Sequence, residues 1–286
     1  MSDAALAVVL GLCSAVTLAF ANLAVKMGTD ILVGRAILSA SAALLILPAA
    51  FFVAPPDAAT WQALARAIPA HLLYQFCLVQ AMQRGDLSLV FPIMRGGAPL
   101  LTAIAGVALL GEHLSLAGWA GLVLATGAVA RFVRPTGGDS LAQHPDAAAI
   151  LWALGTGVGV ALYNIADAHG VRTAPQPATY IVWLFLLDWI GVSIAALALR
   201  RRALGAAIAT KWRYGVTAGA LSILSFGAAL YAMSLIEAAK VSALRETAVV
   251  WAALFGSRFL AEGFGGRRLA AALVLAAGLV LLQIAG

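Results

Sequence analysis

The chain has 286 residues, of which 63% are hydrophobic and 10% charged. Soluble globular domains run about 45–50% apolar and about 25% charged, and disordered chains are polar and charge-rich, so both classes are excluded. The net charge of +6 comes with no basic run interleaved with aromatics, which argues against a nucleic-acid surface. A bilayer-crossing helix needs about 20 apolar residues, so ten of them would use about 200 and leave little for a soluble domain.

Ten apolar segments follow one another, at 4–25, 33–53, 66–83, 87–110, 116–133, 147–167, 178–199, 214–235, 241–260 and 268–285. The N-terminal stretch lacks the basic region of a signal peptide and reads as the first spanning helix. Charge, Gly or Pro marks the breaks, as at Lys26 to Asp30, Pro55-Pro56-Asp57, Arg84-Gly85-Asp86, Gly111-Glu112-His113 and Arg200 to Arg202. The longest connection divides the chain into a first five-helix half, 1–134, a loop, 135–146, and a second half, 147–286. Cys13 and Cys77 lie in apolar segments and make neither a disulfide framework nor a CxxC motif.

The halves look like copies. Arg95 and Glu112 lie 17 residues apart, and so do Arg245 and Glu262, 150 residues later. Ala81-Met82 returns as Ala232-Met233, and the spacing Asn22, Ala24, Gly28 returns as Asn164, Ala166, Gly170. With an odd number of helices per half, the second copy enters from the opposite face. The expected fold is an all-α membrane protein whose ten transmembrane helices form two inverted five-helix repeats, the arrangement behind alternating access in many transporters. Basic residues fix the expected orientation. One set of loops holds Lys26, Arg84, Arg131, Arg134, Arg200, Arg201, Arg202, Lys211, Arg213, Arg267 and Arg268, and the other holds Arg66, Arg172 and Lys240. The richer set belongs in the cytoplasm, with both termini outside.

The stretch from Ala81 through Gln83, Arg84, Gly85, Asp86, Phe91, Pro92, Arg95, Gly96, Gly97 and Pro99 to Leu100, followed by Leu110-Gly111-Glu112, resembles the fourth-helix signature of the drug/metabolite transporter superfamily. The likeness is to its EamA-type ten-helix members, and among these to amino-acid exporters of the YddG type. It covers essentially the whole chain. The second copy, from Leu244 to Glu262, lacks both prolines and the Gly before Glu. No acidic residue lies between Asp3 and Asp30, so the first-helix Glu of small multidrug proteins does not carry over. The resemblance implies a cavity between the repeats, built by helices 1, 3, 4, 6, 8 and 9.

Polar side chains in hydrocarbon are costly and face a bundle interior or an aqueous cavity. The third segment sets His71, Tyr74, Gln75, Leu78 and Met82 on one helical face, suited to a solute cavity or to joining helices. His71 can also change charge near neutral pH. In the fourth, Pro92, Gly96, Gly97 and Pro99 predict a kink with freed carbonyls. Arg95 there is fit to hold a carboxylate bidentately or to pair with a loop acid. The sixth segment aligns Trp152, Thr156, Gly159 and Tyr163 as an aromatic slot, or else as a belt residue and a packing contact. Asn164 and Asp167 follow near its expected end, with Asp167 at the interface, and Tyr180 and Trp183 read as interfacial belt. Asp188 lies well inside the seventh segment, where an unpaired charge is expensive. Ser14, Thr17 and Ala21, like Ser222, Ser225, Phe226 and Ala229, form small faces for helix packing, with hydroxyls bonded to their own backbone. The ninth helix begins at Ser242. It carries Arg245, at the position equivalent to Arg95, and Glu246, which can meet an ammonium or form an ion pair near the helix start.

The expected substrate-binding set is therefore His71, Tyr74, Gln75, Leu78, Arg95, Trp152, Tyr163, Arg245 and Glu246. Pro92, Gly96, Gly97 and Pro99 form the kink, and His71, Asp188 and Glu246 are the coupling candidates. An intramembrane protease is disfavoured: Ser14 lacks the GxS spacing, no GxGD is present, and Glu112-His113 has no second His nearby. No metal site, cofactor or catalytic residue is expected, and no filter-like segment marks a channel. The expected partners are a small-molecule substrate and the lipid bilayer. No oligomeric state is specified, and a monomer suffices. The function expected is export of amino acids, aromatic or otherwise neutral, or related metabolites through the bacterial inner membrane. The alternatives are a multidrug or cationic-compound exporter and a nucleotide-sugar or sugar-phosphate exchanger.

Overall fold

The computed structural model of the chain describes residues 2–26, 30–84, 94, 95, 97–132, 147–248, 250, 251 and 266–285. Among these, all regular structure is helical, as expected. In chain order the helices are α1 (Asp3–Lys26), α2 (Ile31–Ile46), α3 (Ala58–Arg84), α4 (Ala98–Ala105), α5 (Leu116–Phe132), α6 (Ala147–Thr173), α7 (Pro177–Ser222), α8 (Ala228–Met233), α9 (Ala238–Glu246) and α10 (Gly266–Ala285). A 3-10 turn, Leu47–Phe51, extends α2, and π-turns at Gly106–Leu110 and Ile223–Gly227 follow α4 and α7. Five helical stretches are long and apolar enough to cross a membrane: Asp3–Phe20, Ile31–Phe51, Ala147–Thr173, Pro177–Thr210 and Trp212–Met233. Large apolar side chains such as Phe51, Phe52 and Leu116 stand exposed, the surface a bilayer would cover.

The chain forms two compact units, Met1–Leu72 with Ala166–Ile236 and Leu73–Ile165 with Glu237–Gly286. Each draws on both halves of the sequence, and α3 and α6 pass from one unit into the other. In the first unit, Asp30 caps α2 by accepting from the Val33 N–H at 3.1 Å, and its other oxygen meets Arg200 Nε at 3.0 Å. Asp57 caps α3, accepting from the Thr60 N–H at 2.8 Å and the Thr60 hydroxyl at 2.7 Å. α3 thus starts eight residues before the expected segment and carries Pro69 inside it.

The 200–213 stretch, expected to be a loop, is helical within α7. Contacts with α2 nonetheless reveal a hairpin. Thr179 bonds the Ala54 carbonyl, beyond the end of α2, and Arg200 meets Asp30 at its start. Gly215 then faces Ile37 and Ser41, and Gly219 faces Ser41 and Ala42. α7 therefore runs antiparallel to α2 up to Arg200 and parallel to it from Gly215, with the reversal between them. Helix formers Ala, Leu and Arg fill the connection, so backbone hydrogen bonding persists through the bend.

In the second unit, α5 and α10 cross closely because Gly121 and Gly278 face each other. A Cβ at Gly121 would stand 2.6 Å from the Gly278 carbonyl, so only glycine allows this approach. Ala103, Leu122, Ala125, Leu275, Leu279 and Leu282 form the core around the crossing. Gly111, with φ 65°, ends the π-turn after α4 in the left-handed conformation. The following Glu112 is buried, and its Oε1 accepts from the Ala238 N–H at 2.9 Å, capping α9.

Candidate functional site

Two clusters of buried polar side chains stand out, one in each unit. The first is built where α3, α6 and α7 meet. His71 Nε2 lies 3.0 Å from Asp167 Oδ2, and His71 Nδ1 lies 3.8 Å from Asp188 Oδ1. The Tyr180 hydroxyl donates to Asp167 Oδ1 at 2.8 Å. The Tyr180 ring occupies the space that a side chain at Gly170 would need. Phe226, presented by the π-turn after α7, sets its ring edge against His71 with centroids 5.5 Å apart.

Several expectations change here. Asp167 is fully buried rather than interfacial, because α6 continues six residues past it to Thr173. Tyr180 is buried as well, so it is not a belt residue; its hydroxyl is needed on Asp167. Trp183 is half-buried with its ring edge against Trp61. Ser225 does not bond its own backbone: the π-turn directs its hydroxyl to the Ser14 carbonyl on α1, at 2.8 Å. Asp188 is half-buried, with His71 Nδ1 as its neighbour across the helix contact.

The second cluster lies in the other unit. Arg95 Nη1 is 3.6 Å from Glu246 Oε1, with Glu246 buried and Arg95 half-buried. Each belongs to a broken helix. Met94 and Arg95 are helical, Gly97 is in a turn, and α4 begins again at Ala98 with Pro99 in its first turn. Pro92 and Gly96, two of the four residues expected to form a kink, lie outside the described residues. Glu246 is the last residue of α9, with Thr247 as the cap. A helix-start role for its charge is therefore overturned, since the helix begins at Ala238, four residues before the expected Ser242. Glu246 is under the influence of both Arg95 and Arg245, and Arg95 under that of Glu246, Tyr74 and Tyr163.

Tyr74 and Tyr163 meet edge to face with centroids 5.1 Å apart. Gly159 permits this, since a Cβ there would stand 2.8 Å from Tyr74 Cα. One turn along, Asn164 Nδ2 donates to Thr102 Oγ1 and to Ser242 Oγ, each at 3.2 Å, tying α6 to α4 and α9. Glu246 Oε2 and Asn164 Oδ1 are buried and have no hydrogen-bond partner among the described residues. Gln75 is buried, Trp152 and Phe76 meet in a T-shaped pair, and Leu78 packs with Trp152 on a cluster of Ala81, Met94 and Ala153. The second unit thus holds eight of the nine expected binding residues, and the ninth, His71, belongs to the first cluster.

Sequence reasoning did not assign Asn164, Thr102 or Ser242 to a common site. The signal available was an Asn in an otherwise apolar helix. Thr102 gave none, because its hydroxyl also bonds the Ala98 carbonyl in its own turn. An apolar groove of about 420 Å³ on the first unit, lined by Trp61, Leu64, Ile68, Leu72 and Leu187 among others, offers no polar group to orient a solute.

The sequence profile of the EamA-like transporter family matches residues 1–134 and 147–284, two blocks that fit a two-repeat architecture. A solved structure described as "Crystal structure of protein" shares the fold, with a TM-score of 0.78 at 15% identity over 98% of this chain and 97% of its own. No curated protein matches.

Proposed function

This chain belongs to the EamA-like transporter family, and from that premise we propose that it exports amino acids, neutral or aromatic, or closely related metabolites through the bacterial inner membrane. Membership makes it a multi-pass membrane protein that moves small molecules; the solute class is inferred from the second cluster. The carrying observation is a buried pair of opposite charges at two helix breaks, in which Glu246 Oε2 has no hydrogen-bond partner among the described residues. Interrupted helices in corresponding positions of two repeats mark binding sites in secondary transporters. A zwitterion suits this arrangement. Its carboxylate replaces Glu246 on the Arg95 guanidinium, its ammonium meets Glu246, and Tyr74, Tyr163 and Trp152 offer apolar surface to its side chain. Arg95 and Arg245 against the single Glu246 leave the site without net negative charge, which weighs against a cationic drug.

The test is counterflow in proteoliposomes with a panel of amino acids, cationic dyes and sugar phosphates. Amino acids are expected to exchange. Arg95→Lys should weaken binding because the bidentate fork is lost while the charge remains, and Arg95→Gln should weaken it further, by about 2–5 kcal/mol. Unchanged affinity in well-folded Arg95→Gln protein would remove Arg95 from the site, and exchange of dyes alone would replace the amino-acid reading.

A further inference from the structure

His71 has a carboxylate oxygen facing each of its ring nitrogens. Asp167 Oδ2 is 3.0 Å from Nε2, and Asp188 Oδ1 is 3.8 Å from Nδ1. A neutral imidazole donates from one nitrogen only, whereas the imidazolium donates from both. With the ring neutral, one nitrogen lone pair points at a carboxylate; with the ring protonated, the Asp167 contact becomes a charge-assisted hydrogen bond and the Asp188 contact an ion pair. The charged groups that face His71 come from several elements, and not all favour the proton. α6 supplies Asp167, and α7 supplies Asp188 and, through Asp167, the Tyr180 hydroxyl. Arg35 on α2 also acts on the ring electrostatically, and Phe226 closes one side with an apolar edge. Two carboxylates and one guanidinium leave the cluster one negative charge in excess, and a proton on His71 balances it. Charge balance is what a low-dielectric interior demands.

We propose that His71, Asp167 and Asp188 form a proton-binding site, and that gain and loss of one proton there accompanies the transport cycle. The proton adds to the imidazole nitrogen and leaves from it, with no other bond changed. Asp167, fully buried and held by Tyr180, is the fixed end of the site. Asp188, whose side chain is 22% exposed, is the open end, through which the proton passes. When the proton leaves, His71 keeps a donor for only one carboxylate, so the bridge that links α6 to α7 through α3 opens on one side. The inference rests on the transport reading above but not on the identity of the solute.

The site is tested in purified, detergent-solubilised protein by NMR of ring-labelled histidine, with the His71 signal identified as the one missing from His71→Gln. His71 is expected to titrate reversibly, and Asp167→Asn and Asp188→Asn are each expected to move its midpoint by about one pH unit or more. A His71 that stays in one neutral tautomer across the accessible range would overturn the proposal, as would a midpoint indifferent to both variants. Coupling is tested in proteoliposomes with radiolabelled leucine and phenylalanine. A pH gradient should drive net accumulation in the wild type, while Asp167→Asn and Asp188→Asn keep exchange at equal pH and lose the driven component. Accumulation that persists in both variants rejects the coupling. If neither amino acid exchanges in the wild type, the solute reading fails while the titration still decides the proton site.

Discussion

Replacing Glu246 by Gln tests whether its contact with Arg95 is a site for a solute or a strut. At an effective dielectric of about 20, two unit charges 3.6 Å apart attract by about 4.6 kcal/mol. Much of that offsets the loss of solvation on burial, so the intact pair adds little net stability. Removing one partner is another matter. In Glu246→Gln the Arg95 guanidinium loses its carboxylate, and breaking a buried pair from one side costs about 3–5 kcal/mol. The double variant Arg95→Gln, Glu246→Gln removes charges of both signs and should recover most of that stability in an unfolding assay in detergent. Transport should not recover with it, because a site that grips a zwitterion needs both charges. Counterflow measured on all three variants, each checked for folding, closes the cycle. Recovery of transport along with stability in the double variant would refute the binding role and leave a structural ion pair.

Asn164→Ala should destabilise the second unit by about 1–3 kcal/mol, since it strands the Ser242 hydroxyl and one acceptor of Thr102 in the interior; an unfolding midpoint in detergent reads the loss. Glu112→Ala should cost about 0.5–2 kcal/mol by uncapping α9, whereas Glu112→Gln keeps an acceptor for the Ala238 N–H and should cost less; the same assay separates the two. Asp57 is the pH-sensitive cap. Hydrogen bonds from Thr60 hold its carboxyl below the ordinary value, so its contribution is complete above the usual carboxylate range and is lost as pH falls through the lowered value. Amide exchange over the first turn of α3 should therefore accelerate in acid in the wild type, and Asp57→Ala should remove that pH dependence. A reporter fused after Gly286 should lie outside the cytoplasm and one placed within 200–213 inside it, and reversed signals would invert the orientation.

The all-helical, membrane-embedded character was legible because hydropathy is a sum over many residues, and such sums survive errors at any one position. The start of α4 at Ala98, with Pro99 in its first turn, was legible because Pro and Gly act locally on the backbone. Element ends were less so. Asp167 was placed at the interface on the assumption that α6 ends where hydropathy falls. In the structure α6 runs on through His169 and Arg172, and the extra turn and a half takes Asp167 inside. Tyr180 fits an interfacial belt by composition alone. Its burial depends on a missing side chain at Gly170 and on a carboxylate on another helix, two facts that no local pattern contains. The reversal within α7 was placed correctly by its arginines but mistaken for a loop, because charge marks where a chain meets water and not whether its backbone stays helical. The partnership of Arg95 with Glu246 spans 151 positions of sequence, and helical periodicity says nothing at that range.

Charges outside the two clusters show why counting them as markers of orientation misses half of their work. Arg172 belongs to the sparse basic set, yet its guanidinium donates to the carbonyls of Met233 and Ile236, each at 2.9 Å, at and just beyond the C-terminal end of α8. Five residues after that end, Glu112 accepts from the first N–H of α9. A cation thus closes a helix C-terminus and an anion closes the next N-terminus, the arrangement that the helix dipole favours. Lys240 in the same short stretch pairs with Glu237 at 3.1 Å. The connection from Ser234 to Glu237 is too short to form secondary structure of its own, and its free carbonyls and N–H groups need partners where water is scarce. Arg172 on α6 supplies one of them, at the Ile236 carbonyl. Arg172, Arg201 and Arg202 are all exposed, but only Arg172 closes the end of another helix. A residue such as Arg172 therefore bears on orientation only weakly, because packing already requires it where it stands, and the arginines at the bend of α7 carry the stronger vote.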